Sequence, residues 1–205
     1  MSEPDSEKGT SGKRRRRGPK KATARSIENA ALHYLGRYAA SKAHLRRVLM
    51  ARVQRSAYHH KTDEGEGAKF VDAVIEKFER LGYLDDKAFA VMRARSLFAR
   101  GTPLRGIRFK LSQQGVEEAD VEAALEGLIE EEGVAELDLA AAVKLAERRR
   151  LGPFGDNDPE TQEARRTRDL GRLARAGFSY DIAKWVIEAE DADLLKFEAG
   201  LDDVT

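Results

Sequence analysis

Leu111-Ser112-Gln113-Gln114-Gly115-Val116, leading into Val121 and Leu125, returns later in the chain as Leu173-Ala174-Arg175-Ala176-Gly177-Phe178, leading into Ala183 and Ile187. In both copies an apolar helical stretch ends at a glycine, an apolar residue follows, and a second amphipathic stretch begins shortly after. Glycine is the residue that accepts the left-handed conformation past a helix end without a Cβ penalty. A weaker third copy ends at Leu81-Gly82-Tyr83. Small helical units repeated in this way bury their apolar faces against one another. The predicted fold is therefore all-α: tandem three-helix repeats, about nine helices, in an elongated, curved array.

Working outward, Ala24–Tyr38 carries Ile27, Ala31 and Tyr34/Leu35 at helical spacing, and Ser41 reads as the N-cap of a helix from Lys42 to about Arg55 with Leu45, Val48, Leu49 and Val53 in one stripe. Residues 56–68 lose periodicity and read as a mobile loop. Lys69–Leu81 completes the first unit. Gly82-Tyr83-Leu84-Asp85-Asp86 joins it to the second, with Asp85 or Asp86 as the next cap. Thr102 followed by Pro103 reads as the start of a helix whose stripe is Leu104, Ile107 and Leu111. Glu130–Gly133 reads as a hinge. The third unit opens with Leu139, Ala142, Val143 and Ala146, breaks at Gly152–Pro159, and closes with a helix carrying Ile182, Trp185 and Val186. The expected organisation is a disordered basic tail over 1–23, repeats over 24–84, 85–130 and 134–189, and an acidic tail over 190–205.

Of the 205 residues 36% are charged and 7% aromatic, which suits thin helical layers better than one thick core. There is no cysteine, so disulfides and thiolate metal sites are excluded. No apolar run reaches the roughly 20 residues of a membrane span, and the basic N-terminus lacks an apolar signal core; a cytoplasmic monomer is expected. The net charge of +1 conceals opposed ends. Residues 1–25 hold nine Lys/Arg against three Asp/Glu, while residues 188–205 hold one Lys against seven Asp/Glu.

No enzyme signature is found. His59 and His60 lie in the predicted loop, His33 and His44 on different helices, and no metal-spaced cluster or phosphate-cradling glycine motif appears. No cofactor, metal or catalytic residue is predicted. The cations say more. Arg93, Arg95, Arg100, Arg105, Arg108 and Lys110 fall in a stretch without acids; Lys144, Arg148, Arg149 and Arg150 occupy the corresponding corner of the third unit, and Arg37, Lys42, Arg46 and Arg47 that of the first. Stacking the units aligns such corners into a basic stripe, the footprint of a binder of nucleic acid or of an acidic filament. The run Lys13-Arg14-Arg15-Arg16-Arg17 with Lys20 and Lys21 is a further phosphate contact, against the plainer reading of a solubilising tail.

With Gly82-Tyr83-Leu84-Asp85-Asp86-Lys87-Ala88-Phe89-Ala90, Arg100-Gly101 leading to Ile107 and Leu111, Gly115-Val116, Ala123-Ala124-Leu125, Arg148–Gly152 and Ala176-Gly177-Phe178, the chain resembles the RecX family of regulators of the RecA recombinase. The resemblance implies a non-enzymatic protein that binds the filament RecA forms on single-stranded DNA and restrains its growth, ATP hydrolysis and strand exchange. It makes the RecA filament and single-stranded DNA the expected partners. The alternatives are a helical DNA-binding protein or transcription factor that reads duplex DNA, and an RNA-associated scaffold.

Overall fold

The computed structural model describes residues 18–132, 137–155 and 162–201. They form α1 (Ala24–Leu35), α2 (Lys42–His60), α3 (Glu64–Arg80), α4 (Asp86–Phe98), α5 (Leu104–Gln114), α6 (Glu118–Glu132), α7 (Leu137–Arg149), a single 3-10 turn (Gly152–Phe154), α8 (Gln162–Ala176), α9 (Tyr180–Glu188) and α10 (Ala192–Glu198). The fold is all-helical, with no strand among the described residues.

Two cores hold it together. The first gathers Ile27, Leu45, Leu49, Val53, Val71, Val74 and Phe78 from α1–α3, closed by Ala22 and Leu84. The second runs without interruption from Phe89 on α4 to Leu195 on α10. Its centre is α7, where Leu139–Val143, Leu145 and Ala146 are all buried. Periodicity along the chain assigns this helix one apolar stripe. It is enclosed on more sides because the α4–α5 turn, α9 and α10 all pack on it.

The repeated phrase is a docking element. Gly115 and Gly177 end α5 and α8 with φ of 79° and 105°. The C-terminal end of α5 meets the N-terminal end of α2: the Ser41 hydroxyl donates to the Gln114 carbonyl at 2.5 Å, Arg47 donates to the Gln113 carbonyl at 2.9 Å, and a Cβ on Gly115 would overlap that of Ala43. The C-terminal end of α8 faces the N-terminal end of α5 in the same sense but less closely. Arg105 reaches the Gly177 carbonyl at 3.3 Å, and a Cβ on Gly177 would lie 3.5 Å from the Pro103 ring. The residue equivalent to these glycines in the first unit is Lys61, which is left-handed at φ 56°, and not Gly82, which follows α3.

An aspartate from the next unit completes each junction. Asp86 accepts from the Lys42 backbone N–H at 2.8 Å and Asp138 from that of Leu104 at 2.7 Å, so the first turns of α2 and α5 are capped from outside. This corrects the expected start at Thr102-Pro103: the N-cap is Pro103, with no side-chain cap of its own, and the acceptor is Asp138. Of the aspartate pair, Asp85 caps α4 through the Ala88 N–H at 2.9 Å, leaving Asp86 for α2.

Other expectations change. The predicted loop over 56–68 is helical except for Lys61–Asp63. Its polar and small residues hid the pattern, because Ser56 is buried as a hydrogen-bond centre and Gly67 admits the Val53 side chain. Ser56 accepts from the Ala22 N–H at 2.8 Å and His60 donates to the Pro19 carbonyl at 2.6 Å, so residues 18–22 lie fixed on the end of α2 rather than in a disordered tail; residues 1–17 lie outside the described residues. The expected acidic tail contains α10, whose Leu195 is buried and which packs on α7. Of the expected hinge, Glu130–Glu132 belong to α6 and Gly133 lies outside the described residues; of the Gly-Pro break, Gly152–Phe154 form the 3-10 turn and 156–159 lie outside. Trp185 is half exposed, whereas Val186, Ala183 and Ile187 are buried as the repeat predicts.

Gly115→Ala combines left-handed strain with overlap at Ala43 and is expected to cost about 2–4 kcal/mol, whereas Gly82→Ala, with φ 73° but open space around it, costs about 1; urea titrations compare the two. Burial raises the Asp86 carboxyl above its ordinary 3.8, against the pull of the Lys42 N–H. The folded state therefore takes up this proton first, and the stability of the native chain relative to Asp86→Asn should rise as pH falls from neutral toward 3.8. A difference that falls over this range would contradict the assignment.

Candidate nucleic-acid interface

Gly101 builds a cationic cleft. At φ 69° it lets the α4–α5 turn press on α7, where a Cβ would come within 2.6 Å of the Ala141 carbonyl and the Leu145 side chain. This approach sets Arg100 beside the end of α7, which carries Arg148 and Arg149. Arg93 and Lys110 enter from α4 and α5, Arg172 and Arg175 from α8. Together they line an open cleft of about 660 Å³ floored by Leu97, Pro103, Leu145 and Leu151, with no acidic residue in its lining.

Sequence reasoning anticipated five of these cations: Arg93, Arg100, Lys110, Arg148 and Arg149. It missed Arg172 and Arg175. Their signal was present in the three-residue spacing on α8 and in the place of Arg175 inside the repeated phrase, but the chain between them and α7 conceals that they share a surface. Among the described residues only Arg172 of the seven is ion-paired, to the buried Asp169 at 3.0 Å. Like charges so concentrated repel one another over about a Debye length, ~10 Å at 0.1 M salt, and an anion in the cleft relieves that repulsion.

The remaining predicted cations lie elsewhere. Arg46 pairs with Asp72 at 2.9 Å and Arg47 serves the α2–α5 junction. Arg95 pairs with Glu131, which raises the guanidinium pKa and lowers that of the carboxyl through their mutual hydrogen bonds. Arg108 pairs with Glu118 and Glu122. Arg105 is engaged by Gly177, and Lys144 lies 3.9 Å above the Phe98 ring. Arg150 is exposed at the end of α7 with φ 54°, outside the cleft lining. The acid-free run from 93 to 110 is thus partly neutralised by α6, and the stripe does not extend into the first unit. Lys20 and Lys21 are exposed, and Lys13–Arg17 lie outside the described residues.

The regulatory protein RecX of Myxococcus xanthus (strain DK1622) is 45% identical to this chain over 191 residues, which span 92% of the chain and 100% of that protein. The chain belongs to the RecX family. The family model for the second three-helix domain of RecX matches residues 85–125, which fall on α4–α6. The regulatory protein RecX of Halorhodospira halophila (strain DSM 244 / SL1) is 30% identical over 172 residues, 84% of this chain and 92% of that protein. A crystal structure of RecX from Lactobacillus salivarius aligns over 83% of this chain and 97% of that one, at 22% identity and a TM-score of 0.49. No helix among the described residues of this RecX-family chain is long and apolar enough to cross a membrane.

Replacing Arg100, Arg149 and Arg175 together by Gln should lower the salt slope of single-stranded DNA binding by about 2, at roughly 0.7 for each phosphate that no longer meets a cation. The same removal of charge at Arg46, Arg95 and Arg108 should leave the slope in place, because those guanidiniums already hold carboxylates. Fluorescence anisotropy at several salt concentrations distinguishes the two variants.

Proposed function

We propose that the chain restrains a RecA recombinase by seating the cleft between α4, α7 and α8 on the filament that the recombinase forms on single-stranded DNA. The observation that carries this reading is the convergence of seven cations from four helices and the α4–α5 turn on a cleft with no acid in its lining. Membership of a family of regulatory proteins supports it, and so does the array itself. An extended series of units touches several repeating partners at once, and modest contacts multiply into tight binding when their spacing fits. The cleft supplies charge and shape rather than chemistry, so the action is that of a bound restraint on filament growth, ATP hydrolysis and strand exchange.

The duplex-reading alternative has less support. Its candidate recognition helix, α4, begins with Asp85 and Asp86, and both carboxylates are occupied in capping. A helix that reads base edges from its first turns presents donors to phosphates and bases there.

The test is ATP hydrolysis by the cognate recombinase on single-stranded DNA. The native chain should reduce the rate. The Arg100→Gln, Arg149→Gln, Arg175→Gln variant should fold with less than about 0.5 kcal/mol change in stability and lose that effect, while the Arg46, Arg95, Arg108 variant keeps it. Full restraint by the cleft variant would remove the cleft from the mechanism.

A further inference from the structure

A second cleft lies between α1 and α2 and has no part in the reading above. It encloses about 410 Å³, within the range of small-ligand sites, and its lining contains no acidic residue. Lys20, Arg52 and Arg55 supply three cations, Asn29 an amide, and His33 and Tyr34 aromatic rings. The Nε of Arg52 is buried and has no hydrogen-bond partner. A guanidinium does not shed its proton to escape such a position, so Arg52 keeps its positive charge in the lining of the cleft.

Two further features bear on what the cleft holds. Tyr34 is held in place by its hydroxyl, 2.8 Å from His44 Nε2, and by Tyr38, whose ring centre is 5.2 Å away. A fixed aromatic ring beside cations is the arrangement on which unstacked bases settle. The backbone at Lys20 is also held, because the strap that carries it is tied to α2 by Pro19 to His60 and by Ala22 to Ser56. The basic run Lys13–Arg17 ends one residue before Gly18, where that strap begins.

We propose that the cleft between α1 and α2 is a second nucleic-acid site, holding one nucleotide of a single strand with its phosphodiester on Lys20, Arg52 and Arg55 and its base against Tyr34. An acidic peptide would satisfy the cations but leave the aromatic wall without a role. The site is separate from the α4–α7–α8 cleft and requires no recombinase, so it stands or falls independently of filament regulation.

The test uses the full chain carrying Arg100→Gln, Arg149→Gln and Arg175→Gln, so that the larger cleft is silenced, with an oligothymidylate bearing one 5-bromodeoxyuridine as probe. Photocrosslinking and peptide mapping should place the adduct on the α1 peptide containing His33 and Tyr34. Asn29→Glu, at an exposed position that keeps the fold intact, and Arg52→Gln should each weaken oligonucleotide binding about tenfold. Arg52→Gln should also lower the salt slope by roughly 0.7. Competition then separates the sources of the anion: a short oligothymidylate should displace the probe, while inorganic phosphate and a poly-glutamate peptide of equal charge should not. Adducts found only in other segments, binding unaltered in Asn29→Glu, or equal displacement by phosphate or poly-glutamate would each overturn the proposal.

Discussion

A helix begins with backbone N–H groups that have no partner inside it and ends with carbonyls in the same condition, and in this chain the end of one helix is set against the beginning of another. The α5 carbonyls of Gln113 and Gln114 accept from Arg47 and Ser41 at the head of α2; the Gly177 carbonyl beyond α8 accepts from Arg105 at the head of α5. Negative helix ends face positive ones, so the macrodipoles of α8, α5 and α2 add in favourable sense. Everything else about the array follows from how close these ends come. The glycine at each contact gives the left-handed turn, Gly115 also gives the missing methyl that Ala43 requires, and an aspartate from the following unit satisfies the donors that the contact leaves over.

The same junctions decide which cations are available. Arg47 and Arg105 are consumed in holding units together, and the acids of α6 neutralise Arg95 and Arg108. What survives on the surface is the set that no carboxylate of α6 reaches, gathered where Gly101 allows the α4–α5 turn to press on α7. Charge in this protein is therefore apportioned by tertiary contact, and a stretch of chain rich in arginine is only raw material.

That division explains what was legible in the sequence. Helical periods, the glycine turns and the Asp85-Asp86 junction depend on neighbours along the chain, and they yielded the all-helical repeat architecture and most helix positions. The 56–68 segment has the sequence pattern of a loop because Ser56 and Gly67 face inward for reasons that lie in other segments, the Ala22 backbone and the Val53 side chain. The candidate site was legible by half. Arg93, Arg100, Lys110, Arg148 and Arg149 stand in two cationic stretches that are conspicuous in the sequence. Arg172 and Arg175 join them only through the packing of α8, and Arg46 and Arg108 leave through ion pairs with Asp72 and Glu122, distant along the chain.

The external cap on α5 also turns the protein into a measuring device. With 11 residues, α5 spans on the order of 16 Å between the contact at its tail and the contact at its head, and the tail contact has no slack, because a Cβ on Gly115 would overlap that of Ala43. Lengthening α5 by a residue would rotate its far end by about 100° as well as displacing it by about 1.5 Å, so graduations on this ruler cannot be changed singly. The interval between the two contacts is thus written in the number of residues of one short helix, and Gly115 guards its tail.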